Sequence, residues 1–548
     1  MSAVRLPGMA ADVANLLLGP LVRFTGERDA TVWVETDAPC EVGVLGHRAR
    51  TFEVHGHHYA LVVIGGLEPG TAYEYDVTCD GVVRWPDPGS RFPPSAIRTL
   101  RADRQVRLLF GSCRAAAPHV PPFTLTPDES EHGREQDALR AYALRMADEP
   151  SDSWPDAALM LGDQVYADEA SPATREFARS RRDTSQPPGE EIADFEEYTR
   201  LYRESWSDEA IRWFFSTVPA LMIFDDHDVN DDWNISAAWK EDMHRTTWWH
   251  DRIVGAFMSY WLYQHLGNLS PHGLDADDTW NAIRSGADAA TVLRDLAVRA
   301  DRTTSGTRWS FHRDFGPSRV VVVDSRAGRH FEDGRREMVD DEEWRWVVET
   351  CSADVDHLLI ATSLPALLAP GIHGLEAWNE AVCAGVWGRR AARVGERVRR
   401  ALDLEHWAAF QSSFRKLVDL LCALSSGARG RAPQTIVLLS GDVHYSYLAA
   451  ASDAGRGRIY QAVCSPIRNP LARRERRAQK FALSRTGGRI GAALMRSARV
   501  APPALAWRVT DGPWFDNCIG SVDLDGPRLR LRLERAAPAL VTVLERDL

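Results

Sequence analysis

Four short hydrophobic runs in this sequence end in residue types that bind metal ions. The side chains that follow these runs are Cys113, then Asp163 and Tyr166, then Asp226 and His227, and finally Asp442 and His444. Carboxylate oxygens suit hard cations such as Ca²⁺, Mg²⁺ or Mn²⁺. Thiolate, phenolate and imidazole donors suit a transition metal, and the phenolate favours a ferric ion. One such run would mean little, but four indicate a single mixed metal centre.

The four runs also predict how these distant residues meet. They span residues 106–110, 157–161, 220–224 and 435–439, and each is aliphatic and bounded by Gly or Asp. That pattern is typical of strands buried on both faces. Because loops at the carboxyl ends of such strands converge on one edge of an α/β sheet, we expect the seven side chains to lie together. Two metal ions there would hold the attacking and the leaving oxygen of a phosphoryl transfer. Phosphoester hydrolysis is therefore the favoured reaction.

The remaining pattern separates a small all-β region from a large α/β region. Residues 21–100 alternate polar and apolar side chains, and Leu67 to Tyr73 resembles the tyrosine corner of fibronectin-type sandwiches. We therefore predict a fibronectin-like β-sandwich with its linker in residues 1–100 and a catalytic domain in residues 101–548. In the latter, strands alternate with helical patterns over 194–215 and 246–266, whereas the polar stretch 171–191 predicts a surface loop.

Composition limits the partners and the compartment. The net charge is −12 and the pI is near 5.8, which disfavours binding to duplex nucleic acid. No run approaches the roughly 18 apolar residues of a membrane span, and Met1 to Pro20 lacks the pattern of a signal peptide, so a cytoplasmic protein is expected. The basic run from Arg473 to Arg489 predicts either a solvated helix face or a flap that attracts an anionic substrate or membrane, with peripheral membrane contact as the consequence.

At its metal-binding motifs the sequence resembles the PhoD-type alkaline phosphatase and phosphodiesterase family of the metallophosphatase superfamily. Gly162-Asp163 with Tyr166 is similar to the Asp and Tyr pattern of the purple-acid-phosphatase and PhoD-like groups. Asp226-His227-Asp228 stands where metallophosphatases have Asn-His-Glu, and Gly441-Asp442-Val443-His444 stands where they have Gly-His-x-His. The resemblance covers nearly the whole chain. It implies a four-layer sandwich of two mixed sheets flanked by helices, preceded by the small β-sandwich.

The resemblance also implies a role for each residue. One Fe³⁺ would bind the ligands Cys113, Asp163, Tyr166 and His444, and one or two Ca²⁺ would bind Asp163, Asp226 and Asp442, with Mn²⁺, Mg²⁺ or Zn²⁺ as substitutes. His227 would not be a ligand but would stabilise the transition state or protonate the leaving oxygen. Exported members carry a twin-arginine signal, which this sequence lacks, so an intracellular substrate is expected.

Other polar residues near these motifs have two interpretations each. Arg114 and Arg326 would either grip phosphate oxygens or form structural ion pairs. The acidic turn 225–231 would serve a second hard cation or cap the next helix, and Asn469 and Asn517 would line the pocket or form loop turns. The turn 362–365 has no histidine, although many metallophosphatases carry a metal-binding one there.

The leading hypothesis is a metal-dependent hydrolase of small-molecule phosphate monoesters or diesters, which uses a metal-activated water. Two alternatives remain: hydrolysis of phospholipid head groups, and a non-catalytic binding protein that retains the fold. The second is disfavoured because unused ligands would leave costly unpaired charges in a pocket. The sequence gives no oligomeric state.

Overall fold

The N-terminal region is a small β-sandwich. The computed structural model of the protein describes residues 14–101, 103–452 and 458–548. Residues 1–13, which include most of the segment searched for a signal peptide, lie outside the described residues. The strands of this region are β1 (Leu16–Thr25), β2 (Asp29–Thr36), β3 (Glu41–Val44), β4 (His47–Arg50), β5 (Phe52–Val54), β6 (His57–Gly65), β7 (Ala72–Glu74), β8 (Val77–Cys79), β9 (Val82–Trp85) and β10 (Ala96–Arg98).

Two four-stranded sheets, β1-β2-β6-β5 and β4-β3-β8-β9, share one apolar core, and β10 pairs with β7. In β2, Val32 and Val34 enter this core. The Tyr73 hydroxyl accepts a hydrogen bond from the Glu68 amide at 2.7 Å, which confirms the predicted tyrosine corner.

The sandwich is firmly attached to the rest of the chain. Trp33 and Tyr59, on the opposite face of the first sheet, belong to the main hydrophobic core of the large region. Buried Arg23 donates to the Ala220 carbonyl at 3.2 Å and to the Gln264 carbonyl at 2.6 Å. Because one core crosses the predicted boundary at residue 100, the division into two domains stays a prediction.

The large region contains thirteen strands and fifteen α-helices among its described residues. The strands are β11 (Val106–Gly111), β12 (Ala157–Leu161), β13 (Ala220–Ile223), β14 (Phe311–Phe315), β15 (Ser318–Val323), β16 (His357–Thr362), β17 (Thr435–Ser440), β18 (Ser446–Ser452), β19 (Arg458–Val463), β20 (Ala506–Trp514), β21 (Cys518–Asp525), β22 (Arg528–Ala537) and β23 (Ala539–Asp547). The helices are α1 (Ala138–Ala147), α2 (Pro172–Arg181), α3 (Phe195–Trp206), α4 (Glu209–Phe215), α5 (Ala237–His244), α6 (Trp249–Ser259), α7 (Pro271–Ala276), α8 (Asp278–Arg284), α9 (Ala289–Arg302), α10 (Asp341–Cys351), α11 (Pro370–Cys383), α12 (Arg389–Ala401), α13 (Gln411–Ser426), α14 (Arg473–Leu483) and α15 (Arg485–Ser497).

These strands form two mixed sheets that pack on each other. One sheet has the order β13-β12-β11-β21-β22-β23, and the other has the order β14-β15-β16-β17-β19-β18-β20. The metal-motif strands β11, β12 and β13 are parallel neighbours in the first sheet, and β17 lies among parallel strands of the second. In β17, Val437 and Leu439 enter the core between the sheets, whereas Ile436 and Leu438 pack on the outer helical layer with residues of α13. The predicted fold class is confirmed.

The prediction of a surface loop over 171–191 is partly wrong, because α2 occupies the first half of this stretch. Ser171 caps this helix by accepting the Thr174 amide at 3.1 Å, and Pro172 occupies the first turn. The predicted helix over 194–215 divides at Asp208, whose carboxylate caps α4. The basic run forms α14 and α15, which are separated at the cap residue Ser484.

Among the described helices, none combines the length and the apolar character that crossing a bilayer requires. All eight cysteines are free thiols.

Candidate metal centre

The four predicted strand-end loops meet in one place and are joined by hydrogen bonds. The Cys113 amide donates to the Gly162 carbonyl at 3.3 Å, which ties the loop after β11 to the loop after β12. The Ser112 hydroxyl accepts the Asp442 amide at 2.9 Å and so connects the loop after β17, which belongs to the other sheet. The two sheets therefore contribute to one site at their carboxyl edges.

Asp228 shapes the loop that carries Asp163. Its carboxylate accepts the backbone amides of Asp163 at 2.9 Å, Gln164 at 3.1 Å, Val165 at 3.2 Å and Asp225 at 2.9 Å. A carboxylate saturated in this way orders the loops after β12 and β13 rather than binding a cation. Asp228 therefore takes neither of the two predicted roles, a cation ligand or a helix cap, but joins these two loops.

Four candidate ligands have left-handed backbone conformations. The φ angles are 58° for Cys113, 51° for Asp163, 67° for Asp442 and 55° for His444. Each such residue costs about 1 kcal/mol or more, and this strain persists only where the surrounding structure enforces it, as at many functional sites. Gly162 and Gly441 allow the neighbouring loops to approach closely. An added Cβ would lie 2.5 Å from the Asp225 Cβ at Gly162 and 1.9 Å from the Ser112 hydroxyl at Gly441.

The first cluster contains soft donors. Ligand atoms of Cys113, Asp163 and His444 all lie within 4.8 Å of one another. Burial is the main cause that raises the pKa of the Cys113 thiol and the Tyr166 phenol, and nearby acidic groups raise both further. Burial lowers the pKa of His444 to about 4, which leaves a neutral imidazole able to bind a metal ion.

The second cluster contains hard donors and shares Asp163 with the first. Asp163 and Asp226 group with His227, and Asp226 groups with Asp225 and Asp442, in each case with ligand atoms within 4.8 Å. Asp163 Oδ1 and Asp225 Oδ2 are buried and accept no hydrogen bond from the described residues. Burial raises the pKa of Asp163, and its carboxylate neighbours raise it further. Since a cation would relieve both the missing contacts and the repulsion, the donor set fits bound metal.

Arg326 is enclosed by the hard cluster. Its guanidinium is fully buried and forms ion pairs with Asp226 at 3.2 Å, Asp442 at 3.4 Å and Glu405, whose Oε1 accepts from Nη2 at 2.8 Å; it also pairs with Asp225. All its donors are therefore directed at protein carboxylates, which is the structural ion pair rather than the phosphate-gripping alternative.

Arg114 likewise points away from the cluster. The buried guanidinium donates to Asp137 Oδ2 at 3.0 Å and to the Ser205 carbonyl at 2.7 Å. Of the two alternatives for Arg114, the structure therefore also favours the structural ion pair, because the buried guanidinium is already occupied by protein acceptors.

His227 lies at the edge of the cluster with one ring nitrogen held. Its Nδ1 is 2.9 Å from both carboxylate oxygens of Asp168, its ring lies 4.7 Å from that of Tyr166, and its side chain is 18% exposed. Burial opposes protonation, but Asp168 and the other carboxylates outweigh burial and raise the pKa of His227 well above its usual value. Nε2 makes no hydrogen bond to a described residue, so it is available to a substrate.

Asp168 was not predicted from the sequence, although it follows Tyr166 by two residues on the same loop. Because this carboxylate fixes the tautomer and orientation of His227, we expect Asp168→Asn to lower kcat by about 10- to 100-fold with metal content unchanged. The measurement is kcat for an alkyl phosphoester together with metal analysis. Asp301→Asn, which alters the surface pair of His244 with Asp301, is the matched control, and an unchanged kcat in Asp168→Asn would exclude the orienting role.

Three further residues near the hard cluster, Glu376, Glu405 and His406, were not predicted from the sequence either. The ring of His406 lies between two carboxylates. Its Nε2 is 2.9 Å from Asp442 Oδ2, and its Nδ1 is 2.6 Å from Glu376 Oε1. Burial opposes its protonation, yet the two carboxylates raise the pKa of His406 well above its usual value. No strand precedes these residues, so the strand-end pattern held no signal for them.

Asn517 has a structural role, whereas Asn469 lies beside the candidate ligands, with its side chain next to the Tyr166 hydroxyl and its backbone next to His444. The Asn517 amide donates at 2.8 Å to the carbonyls of Arg134 and Gln136, and its oxygen accepts the Asn469 amide at 3.3 Å. At the turn without histidine, the Ser363 hydroxyl lies 2.7 Å from that of Ser325.

The chain is similar to two described domain families and to two solved structures. Residues 132–468 match the family model described as "PhoD-like phosphatase". Residues 13–97 match DUF7800, a domain of unknown function. A solved structure titled "Structure of PhoD" matches with a TM-score of 0.56 and 12% identity over 99% of this chain and 93% of that chain, which shows a shared fold. Purple acid phosphatase PPD1 from yellow lupin (Lupinus luteus) seeds matches with a TM-score of 0.47 and 10% identity over 96% of this chain and 73% of that chain. No curated protein matches the chain.

Proposed function

Because the chain belongs to the PhoD-like phosphatase family, whose profile covers more than half of it, we propose that it hydrolyses small-molecule phosphate monoesters, diesters or both at the centre described above. Membership makes the protein a phosphoric ester hydrolase. The proposal adds the assignment of the site, the metals and the role of each residue.

The single observation that carries the proposal is the position of Asp163. This carboxylate belongs to both donor clusters, one of its oxygens is buried without a partner, and its backbone is held in a left-handed conformation. A residue with these properties fits a carboxylate that bridges two cations.

We assign the ligands by donor type. The soft set Cys113, Asp163, Tyr166 and His444 would hold Fe³⁺, and Asp163, Asp226 and Asp442 would hold one or two Ca²⁺, for which Mn²⁺, Mg²⁺ or Zn²⁺ are possible substitutes. When bound, such ions polarise phosphoryl oxygens and make a water molecule nucleophilic near neutral pH.

The protein's own groups perform the remaining chemistry. Asp168 holds His227 by Nδ1, which directs Nε2 towards the space beside the clusters. In the protonated form favoured by its carboxylate neighbours, His227 would donate a proton to the leaving oxygen or stabilise charge in the transition state.

The direct test is an assay of hydrolysis with an aryl phosphate monoester and an aryl phosphate diester. The release of the phenolate measures the rate. We expect turnover of at least one substrate, and loss of that turnover after chelation followed by its return on addition of iron and calcium. Absence of turnover in metal-loaded protein towards both substrates would contradict the proposal.

The iron assignment gives a separate spectroscopic prediction. Because a phenolate bound to Fe³⁺ has a charge-transfer transition, we expect coloured protein with a visible absorption band that Tyr166→Phe removes. The matched control is Tyr142→Phe, a buried tyrosine on α1, which should keep the band. A colourless, fully active protein that contains only zinc or manganese would contradict iron but not the phosphatase assignment.

Hydrolysis of phospholipid head groups is a second candidate. It is favoured by one observation, the exposed basic and apolar surface of α14 and α15, which the next subsection examines. The aryl substrates above do not distinguish the two candidates, but release of a head group from phospholipid vesicles would.

A further inference from the structure

The positive charge of the chain is concentrated on one helical layer. Residues 386–402 and 473–499 contain fifteen Arg or Lys and two Glu, a formal charge of +13, whereas the whole chain has −12. The remainder therefore carries −25. We call the exposed residues of these two segments the basic face.

Most cations of the basic face form no ion pair with a described residue. Among the described residues, eleven of them form no ion pair: Arg389, Arg390, Arg393, Arg397, Arg474, Arg477, Lys480, Arg485, Arg489, Arg496 and Arg499. By contrast, Arg473 pairs with Asp128 at 3.1 Å and Arg476 with Glu135 at 3.2 Å, which fixes α14 to the loop before α1. Unpaired cations at this density repel one another and attract an anionic surface.

Exposed apolar side chains lie among these cations. Six of the eleven large hydrophobic side chains that the described structure exposes belong to these two segments, namely Val386, Trp387, Val394, Leu402, Phe481 and Ile490. Phe481 is 54% exposed and Trp387 is 47% exposed. Single exposed hydrophobic residues are ordinary, but their concentration beside unpaired arginines indicates a contact surface.

The basic face is built on a closely packed layer. A Cβ at Gly371 of α11 would meet the Ala482 carbonyl at 2.6 Å, and one at Gly374 would meet the Gly491 Cα at 2.5 Å, so α11 touches α14 and α15 backbone to backbone. The Trp387 indole donates to the Ser497 carbonyl at 3.3 Å, which joins the start of the first segment to α15. The two segments therefore present their charges together.

We propose that the basic face docks the protein on an anionic lipid bilayer. Arginines with interleaved Trp, Phe and Ile side chains match an interface in which cations meet lipid phosphates and apolar groups enter the acyl boundary. The acidic remainder is repelled by the same bilayer and so orients the molecule. The apolar component favours lipid over duplex nucleic acid, whose phosphate backbone is bound by cations. Docking does not depend on the proposed hydrolysis.

The test is sedimentation of the full chain with vesicles of phosphatidylcholine alone or with about one third phosphatidylglycerol. We expect much tighter binding to the anionic vesicles than to the neutral ones and, since each basic residue contributes separately, an affinity at least about tenfold lower in the fourfold Arg→Gln variant at positions 390, 393, 485 and 489. The matched control changes four exposed arginines elsewhere to Gln, at positions 28, 50, 294 and 528, and should bind as the unchanged protein does. Both variants should hydrolyse soluble aryl substrates normally, so failure of docking and failure of the proposed function are distinguishable.

A second variant tests the apolar component. At about 0.5 M salt, where charge attraction is screened, we expect part of the binding to persist and to disappear in the Phe481→Ser, Ile490→Ser double variant. Equal binding to neutral vesicles, or equal losses in the control, would overturn the proposal. Binding to single-stranded DNA without vesicle binding would assign the face to nucleic acid instead, and an oligomer that the fourfold variant separates, without vesicle binding, would assign it to a second copy of the chain.

Discussion

Asp163→Asn is expected to lower kcat by about four orders of magnitude or more, the scale on which the loss of one member of a catalytic unit disables it. Asparagine keeps the size of the side chain and tolerates the left-handed backbone of this position, with φ at 51°, better than alanine does. The variant therefore removes the charge of the proposed bridge with little added strain. The measurement is kcat for an aryl phosphoester beside metal content.

The content of both metal types should decrease in Asp163→Asn, because one carboxylate is proposed to bind the metal ions of both clusters. The matched control is Asp156→Asn, at the opposite end of β12, where the carboxylate accepts the Arg107 amide at 2.8 Å. It should retain metal and most activity even if stability decreases. Full metal occupancy in Asp163→Asn would place the bridge on another residue.

The second large effect is expected at His227. His227→Ala should lower kcat by roughly two to four orders of magnitude for an alkyl phosphoester while metal content and KM stay near normal. The loss should be smaller for an aryl ester, since a good leaving group needs less protonation. The comparison of kcat between the two esters is the measurement that separates proton donation from general destabilisation.

The control for this variant is His244→Ala, which removes a histidine that is also paired with an aspartate, at 3.1 Å, but on the surface. It should leave kcat unchanged for both esters. Loss of metal from His227→Ala would make His227 a ligand, as its proximity to Asp163 and Asp226 permits. Full activity towards both esters would refute the assigned role altogether.

The strand-end pattern predicted the meeting of the four loops because it reflects topology. β11, β12 and β13 are parallel neighbours, so any residue just past their ends lies on the same edge. β17 lies in the other sheet, and its loop reaches the same site because the two sheets pack face to face, which the hydrophobic pattern alone did not specify.

The partners of the candidate ligands could not be predicted in the same way. Glu405 and His406 lie on the connection between α12 and α13, where no periodic pattern precedes them, and only tertiary packing brings them to Arg326 and Asp442. The roles of Arg114 and Arg326 were undecided for a related reason: arginine binds phosphate and carboxylate with the same geometry, so the choice depends on which acid is nearby.

The most direct test of the account is the number and identity of metal ions per chain, measured by elemental analysis on active protein. We predict at least two ions, one of them iron, with loss of iron in Cys113→Ser and loss of the harder ion in Asp442→Asn. Metal-free protein that hydrolyses phosphoesters at the full rate, or a single ion whose content neither substitution changes, would contradict the claim that these four loops build one multinuclear metal centre.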